Sequence, residues 1–134
     1  MKTQNIKFLL MFSFLIVFYI SFCQDVTHIS NNIADAIKKG NAKDLAVYFD
    51  SNIELTLIDK DGTYSKSQAE IILKDFFAKN PPNDFSINHN GASKDLSQFY
   101  IGSYKTSNKQ NFRIYYLIKS VSGKMLIQQL QIQE

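Results

Sequence analysis

Cysteine is almost missing from this sequence. Cys23 is the only one in 134 residues, so no disulfide can close within the chain and no thiolate metal cluster can be assembled. Histidine is nearly as scarce: His28 and His89 stand too far apart for ligand spacing. The two prolines are adjacent at 81 and 82, which leaves no Pro-rich linker and no low-complexity tract. Only five glycines occur, and none builds the Gly-rich elbow that presents a nucleophilic serine. Charge of one sign is lacking too. The formal +3 includes Lys2 and Lys7, and without those two the rest of the chain carries +1, which excludes the clustered basic face of a nucleic-acid binder.

What is present is a composition of 45% hydrophobic and 20% charged residues, that of one globular domain. A domain of this size buries roughly two-thirds of its unfolded surface and needs no covalent staple.

The first residues carry an address. Lys2 and Lys7 form a positive start, Phe8 to Ile20 is an apolar run, and Ser21-Phe22-Cys23-Gln24 supplies a junction, the pattern that a signal peptidase reads. The expected division is a signal peptide over residues 1–23 and one domain over 24–134, exported to the periplasm or secreted, with no membrane span after the leader is removed. Two other outcomes fit the same residues. A retained anchor would want about 20 apolar residues, more than the run holds. A lipid on Cys23 is favoured by Ile20 and Ser21 but meets Phe22 where a small residue is expected.

Beyond the leader, Val26, Ile29, Ile33, Ala36 and Ile37 recur at helical steps until Gly40. Asn41 is placed to cap a second, shorter helix. Ile53, Leu55 and Leu57 then alternate as a strand, and Asp59-Lys60-Asp61-Gly62 reads as a turn. Ser65 and Gln68 have the spacing of a capping box ahead of the stripe Ala69, Ile72, Leu73, Phe76 and Phe77, and Asn80-Pro81-Pro82 stops that helix. Everything later alternates as strands: Phe85-Ile87-His89, Phe99-Ile101-Ser103, Phe112-Ile114-Tyr116-Ile118 and Met125-Ile127-Gln129. The expected fold is α+β and cone-like, with three N-terminal helices packed on a curved antiparallel sheet.

Four phrases in order, Tyr64-Ser65-Lys66-Ser67-Gln68-Ala69-Glu70, Asp75-Phe76-Phe77, Asn80-Pro81-Pro82 and His89-Asn90-Gly91-Ala92-Ser93, resemble the bacterial exported family called domain of unknown function 4783. The order of elements is similar to the nuclear transport factor 2-like and cystatin-like cone superfamily. That resemblance implies a cone whose mouth takes a ligand or partner in some members and houses isomerases or dehydratases in others, so fold does not carry function.

Alternation puts His89 on the face of Phe85 and Ile87, and so inside the cone, as a proton carrier or as a structural histidine bound to the Gly91 to Ser93 turn. Tyr100, Tyr104, Arg113 and Tyr115 are expected together on the opposite face from Phe99, Ile101, Phe112 and Ile114. There they either bind a sugar, a carboxylate or a protein, or simply stabilise the sheet by cross-strand contact. Asp59-Lys60-Asp61-Gly62 fails as a calcium loop, because Leu57 and Gln68 would fall where carboxylates are required. His28 lies on the polar side of the first helix with Asn32 and Asp35.

The reading is therefore binding rather than turnover, without cofactor or metal: a ligand-binding or protein-interaction module of the cell envelope, with a second copy, a small molecule or an envelope protein as partner. The alternative is an isomerase or lyase using His89 in the cavity. A deep pocket with His89 and a buried carboxylate would favour it; a cone filled by Phe76, Phe77, Phe85 and Ile87 would exclude it. For the leader, the expected outcome is a mature chain beginning at Gln24, read by intact mass of protein taken from the cell envelope. A mass that retains residues 1–23, or a lipid on Cys23, would overturn the cleavage site.

Overall fold

The computed structural model describes residues 26–134; the expected signal peptide and its expected junction at Cys23-Gln24 lie outside the described residues. Contacts divide the chain into two units, Met1–Asn31 and Asn32–Glu134. Of the first, residues 26–31 are described, and they are helical.

The second unit opens with the continuation of that helix, α1, whose helical residues are 26–38. It buries Ile33, Ala36 and Ile37, as the apolar spacing predicts. Gly40, at φ 62°, donates to Ile37 O, and Asn41 donates to Ala36 O, the paired bonds of a Schellman stop. Asn41 then accepts from the Asp44 N–H and caps α2, Ala42–Ala46.

Strand β1, Phe49–Leu57, buries Phe49, Ile53, Leu55 and Leu57. It turns through Ile58 and Asp59 alone, because Leu57 already faces Lys60 at the start of β2, Lys60–Ser65. Asp59-Lys60-Asp61-Gly62 is thus mostly strand rather than turn, with Asp61 accepting from Thr56 Oγ1 across the pair at 2.9 Å.

Helix α3, Lys66–Lys79, starts at the capping box foreseen in Ser65 and Gln68 and buries Ala69, Leu73, Phe76 and Phe77. It ends at Asn80, whose N–H still bonds Phe76 O. Four strands follow: β3, Pro82–Ala92; β4, Gln98–Thr106; β5, Asn111–Val121; and β6, Lys124–Gln133.

The six strands form one curved, unclosed sheet in the order β2-β1-β6-β5-β4-β3. Two expectations are corrected here. The sheet is mixed, because β6 returns beside β1 and runs parallel to it. The three helices are also not gathered at the N-terminus, since the β1–β2 hairpin precedes α3. The fold class itself, α+β, stands.

The strand tips are built by local chemistry. Ser122 and Gly123, at φ 51° and 79°, form a two-residue hairpin turn between β5 and β6, the primed geometry that matches strand twist. At the β3–β4 tip, Asp95 Oδ1 accepts from Ser97 Oγ at 2.6 Å and from Ser97 N at 3.2 Å, while Lys119 of β5 stands 3.2 Å from Oδ2. The Ser97 hydroxyl foremost, then its N–H and the Lys119 ammonium, hold the Asp95 carboxyl at about 2, below the usual 3.8.

A carboxylate favoured by the folded chain contributes stability that is complete above its ordinary value and is lost as pH falls through its folded value. The melting midpoint should therefore fall between about pH 4 and about pH 2, and Asp95→Asn, which has no proton to take up there, should fall less over that interval. Equal slopes in thermal melts of the two proteins would refute this.

Candidate functional site on the outer sheet face

Which strand face α3 covers decides what is left exposed. The Phe76 ring lies 5.3 Å from Phe112 and 5.9 Å from Tyr104, and Phe77 lies 6.0 Å from Tyr104. The inner face therefore carries Tyr100, Gly102 and Tyr104 of β4 and Phe112, Ile114 and Tyr116 of β5, with Tyr104 fully buried and Tyr100 7% exposed. Tyr104 donates its hydroxyl to Asn80 O at 2.6 Å, tying β4 to the end of α3. Burial pushes that phenol well above the ordinary tyrosine range. Tyr100 stacks on Tyr116 at 5.0 Å.

The expected tyrosine face is thus divided. Tyr100 and Tyr104 are core residues, whereas Arg113 and Tyr115 lie on the opposite, outer face with Phe99 and Ile101. The register explains the split: Tyr104 faces Phe112 and Tyr100 faces Tyr116, while Ser103 faces Arg113 and Ile101 faces Tyr115.

His89 is displaced by a β-bulge. Ile87 is paired with Gly102, but the next paired residue is His89, opposite Ile101, with Asn88 left over between them. One extra residue inverts the alternation, so His89 is exposed on the outer face and not inside with Phe85. Asn88, outward by the alternation from Ile87, donates to Ser103 Oγ at 2.6 Å.

These displacements assemble a groove of about 530 Å³ on the outer face, walled by Asn88, His89, Ser103, Lys105, Arg113 and Glu134, with Ile101, Gly102, Asn111 and Phe112 completing its lining. Two of the five sequence candidates, His89 and Arg113, meet in it. Tyr115 stands beside it, opposite Ile101. Ser103, Lys105 and Asn88 have no signal in the sequence, because only the bulge and the register bring them together. Arg113 and Lys105 make no ion pair or side-chain hydrogen bond among the described residues. Two smaller hollows, of about 280 and 250 Å³, lie between α1 and α2 and between α3 and the β1–β2 hairpin.

The inner face at α3 is filled. Phe76, Phe77 and Phe85 are all buried, with Ile87 half-buried, and among the described residues the buried polar or charged side chains are Ser30, Ser97 and Thr106. The isomerase reading asks for a histidine and a carboxylate sharing a buried cavity, and neither residue type is buried there. No group of three His, Cys, Asp or Glu side chains comes together among the described residues, and none of their helices is long and apolar enough to cross a membrane.

The family described as Domain of unknown function (DUF4783) matches residues 30–133, so the chain belongs to that family. A solved DUF4783 protein from Bacteroides fragilis is 34% identical, with 75% of this chain and 93% of that one covered and a TM-score of 0.70. Its counterpart from Bacteroides uniformis is 30% identical, covering 78% and 94%, with a TM-score of 0.72. At the level of fold alone, an uncharacterized cystatin fold protein from Novosphingobium aromaticivorans superposes with a TM-score of 0.59 at 10% identity, over 78% of this chain and 94% of that one. No curated protein matches the chain.

The filled inner face can be tested at Gly102. A Cβ there would lie 2.5 Å from two ring atoms of Phe85 and 2.7 Å from Ser86 O, too close for any real contact, and the backbone oxygen cannot yield. Gly102→Ala should cost about 2–3 kcal/mol in urea unfolding, the scale of overpacking a core. A change below about 0.5 kcal/mol, the ordinary range for a surface position, would mean that Phe85 does not occupy that space.

Proposed function

We propose that this chain is an exported, non-catalytic interaction module whose working surface is the outer face of the sheet, and that a second copy of the chain docks there. The supporting observation is an apolar stripe. Phe99 and Leu117 face each other across β4 and β5, as do Ile101 and Tyr115, and the Phe99 and Tyr115 rings stack at 6.4 Å and 21°. Phe99 also fills the space that a side chain at Gly91 would need, so its ring is held flat against the sheet. All four side chains remain part-exposed.

A second copy suits this surface in area and in charge. Four strands at about 4.8 Å spacing and ten residues at about 3.3 Å rise give a face of roughly 600 Å² in projection. Side-chain relief brings its accessible surface toward the about 800 Å² per partner of a stable pair. Next to the stripe stand Gln129, opposite Leu117, and Gln131, opposite Tyr115, with Glu54 and Thr56 of β1 beyond them and Arg113 and Lys119 flanking the stripe along β5. The charges thus lie around an uncharged centre, and an isologous contact needs only that the patch complement itself.

The experiment is light scattering coupled to size-exclusion chromatography on the chain without its leader. The wild type should elute with twice the mass of one chain. Leu117→Gln, which puts an amide into the apolar contact without adding charge, should weaken the pair at least tenfold, as for a central interface residue. A wild type that is monomeric at its highest soluble concentration, or a Leu117→Gln pair of undiminished strength, would overturn the reading.

A further inference from the structure

We infer that the groove beside the stripe is a binding site for a small monocarboxylate with an apolar body. This goes beyond the self-association proposed above and does not rest on it.

The volume, about 530 Å³, lies within the ~300–1,000 Å³ of small-molecule sites. Its chemistry is sorted by position. Arg113 is opposite Ser103 in the register and Lys105 is opposite Asn111, so a guanidinium and an ammonium project from neighbouring strands into one hollow. Neither is neutralised by an ion pair or held by a side-chain hydrogen bond among the described residues. A guanidinium presents a fork of donors matched to a carboxylate.

The Ser103 hydroxyl and the Asn88 amide are already joined at 2.6 Å, and that bond fixes where they stand. The second Asn88 N–H and the Ser103 hydroxyl proton are left for a ligand. Ile101, half-buried and opposite His89, gives the floor an apolar patch on which a ring or chain can lie.

Glu134 limits the ligand's negative charge. It lines the same groove, and its side-chain carboxylate offsets part of the positive charge of Arg113 and Lys105. A single carboxylate meets the guanidinium with less repulsion from Glu134 than a phosphate dianion would, and a phosphate would leave the Ile101 patch uncovered.

The bulge at Asn88 makes the site possible. Without the bulge, strict alternation along β3 would turn His89 inward and take one wall of the groove with it.

The test uses benzoate, benzyl alcohol and inorganic phosphate as probes, followed by backbone amide chemical shifts of the chain without its leader. Benzoate should give saturable shifts at Asn88, Ser103, Lys105 and Arg113. Benzyl alcohol, which keeps the ring and loses the charge, should bind at least tenfold more weakly, because a charge-assisted hydrogen bond is worth about ten- to a hundredfold in affinity. Phosphate should also bind at least tenfold more weakly than benzoate. Arg113→Gln should lose at least tenfold for benzoate while amides outside the groove keep their positions, which separates lost binding from lost folding.

Leu117→Gln, monomeric or nearly so, should bind benzoate as the wild type does, so that failure of the groove and failure of self-association are read separately. Equal affinity for benzoate and benzyl alcohol, phosphate as tight as benzoate, shifts centred elsewhere, no saturable shift, or an Arg113→Gln protein that binds as the wild type does would each overturn the inference.

Discussion

Phe76 and Phe77 of α3 meet Tyr104 and Phe112 on one face of the sheet, and because strand side chains alternate, that contact commits the neighbouring positions to inside or outside. Each buried ring removes a large apolar area from water, and the edge-on and tilted pairs add about 0.5–1.5 kcal/mol apiece. The Tyr104 hydroxyl bond to Asn80 O closes the same cluster with a polar contact that no residue of the β4 outer face could make. With the rings seated, Ser103, Lys105, Arg113 and Tyr115 have no place but the outer face. The charges and hydroxyls available for recognition are therefore by-products of how α3 is seated.

The helical half of this arrangement is legible in the sequence because helices announce themselves locally. Ser65 and Gln68 cap α3 as their spacing requires, and Gly40 and Asn41 end one helix and begin the next. The inner face of β5 is legible too, since Phe112, Ile114, Tyr116 and Ile118 alternate with Arg113 and Lys119 and are the buried set. The face of β4 is not, and the reason is compositional. In Phe99-Tyr100-Ile101 adjacent residues are all apolar or aromatic, so either alternate set makes an acceptable core. Tertiary contact chooses between them, and it chose Tyr100 and Tyr104. A tyrosine resembles a binding anchor in sequence and is also a good core ring when its hydroxyl reaches an acceptor.

The bulges are the second illegible feature. An extra residue such as Asn88 leaves no mark in a polar stretch like Asn88-His89-Asn90, where every register looks equally plausible. The same happens in β6, where the register shifts between Ile127 and Gln129, and Ile127, Leu130 and Ile132 are buried rather than a strictly alternating set. That second bulge also has a use. Gln128 is left over there and donates to Asp50 Oδ2 at 2.7 Å, and this bond, followed by the Ser51 N–H, draws the Asp50 carboxyl below its usual range. It fastens the start of β1 beside β6, at the place where the sheet changes from antiparallel to parallel. Both bulges are irregularities of one residue with consequences several strands wide.

The stripe and the groove share Ile101, and that shared residue orders the two roles. Phe99 and Leu117 lie to one side of it along the strands, Tyr115 stands level with it, and Ser103, Lys105 and Arg113 lie to the other side. A second copy seated on the stripe would therefore reach Ile101 from one side while the groove stays open toward Lys105. The guanidinium and the ammonium that would hold a carboxylate lie away from the stripe, so their charge-assisted contacts do not depend on the pair. The two roles share one face and one residue, and each can be lost without the other.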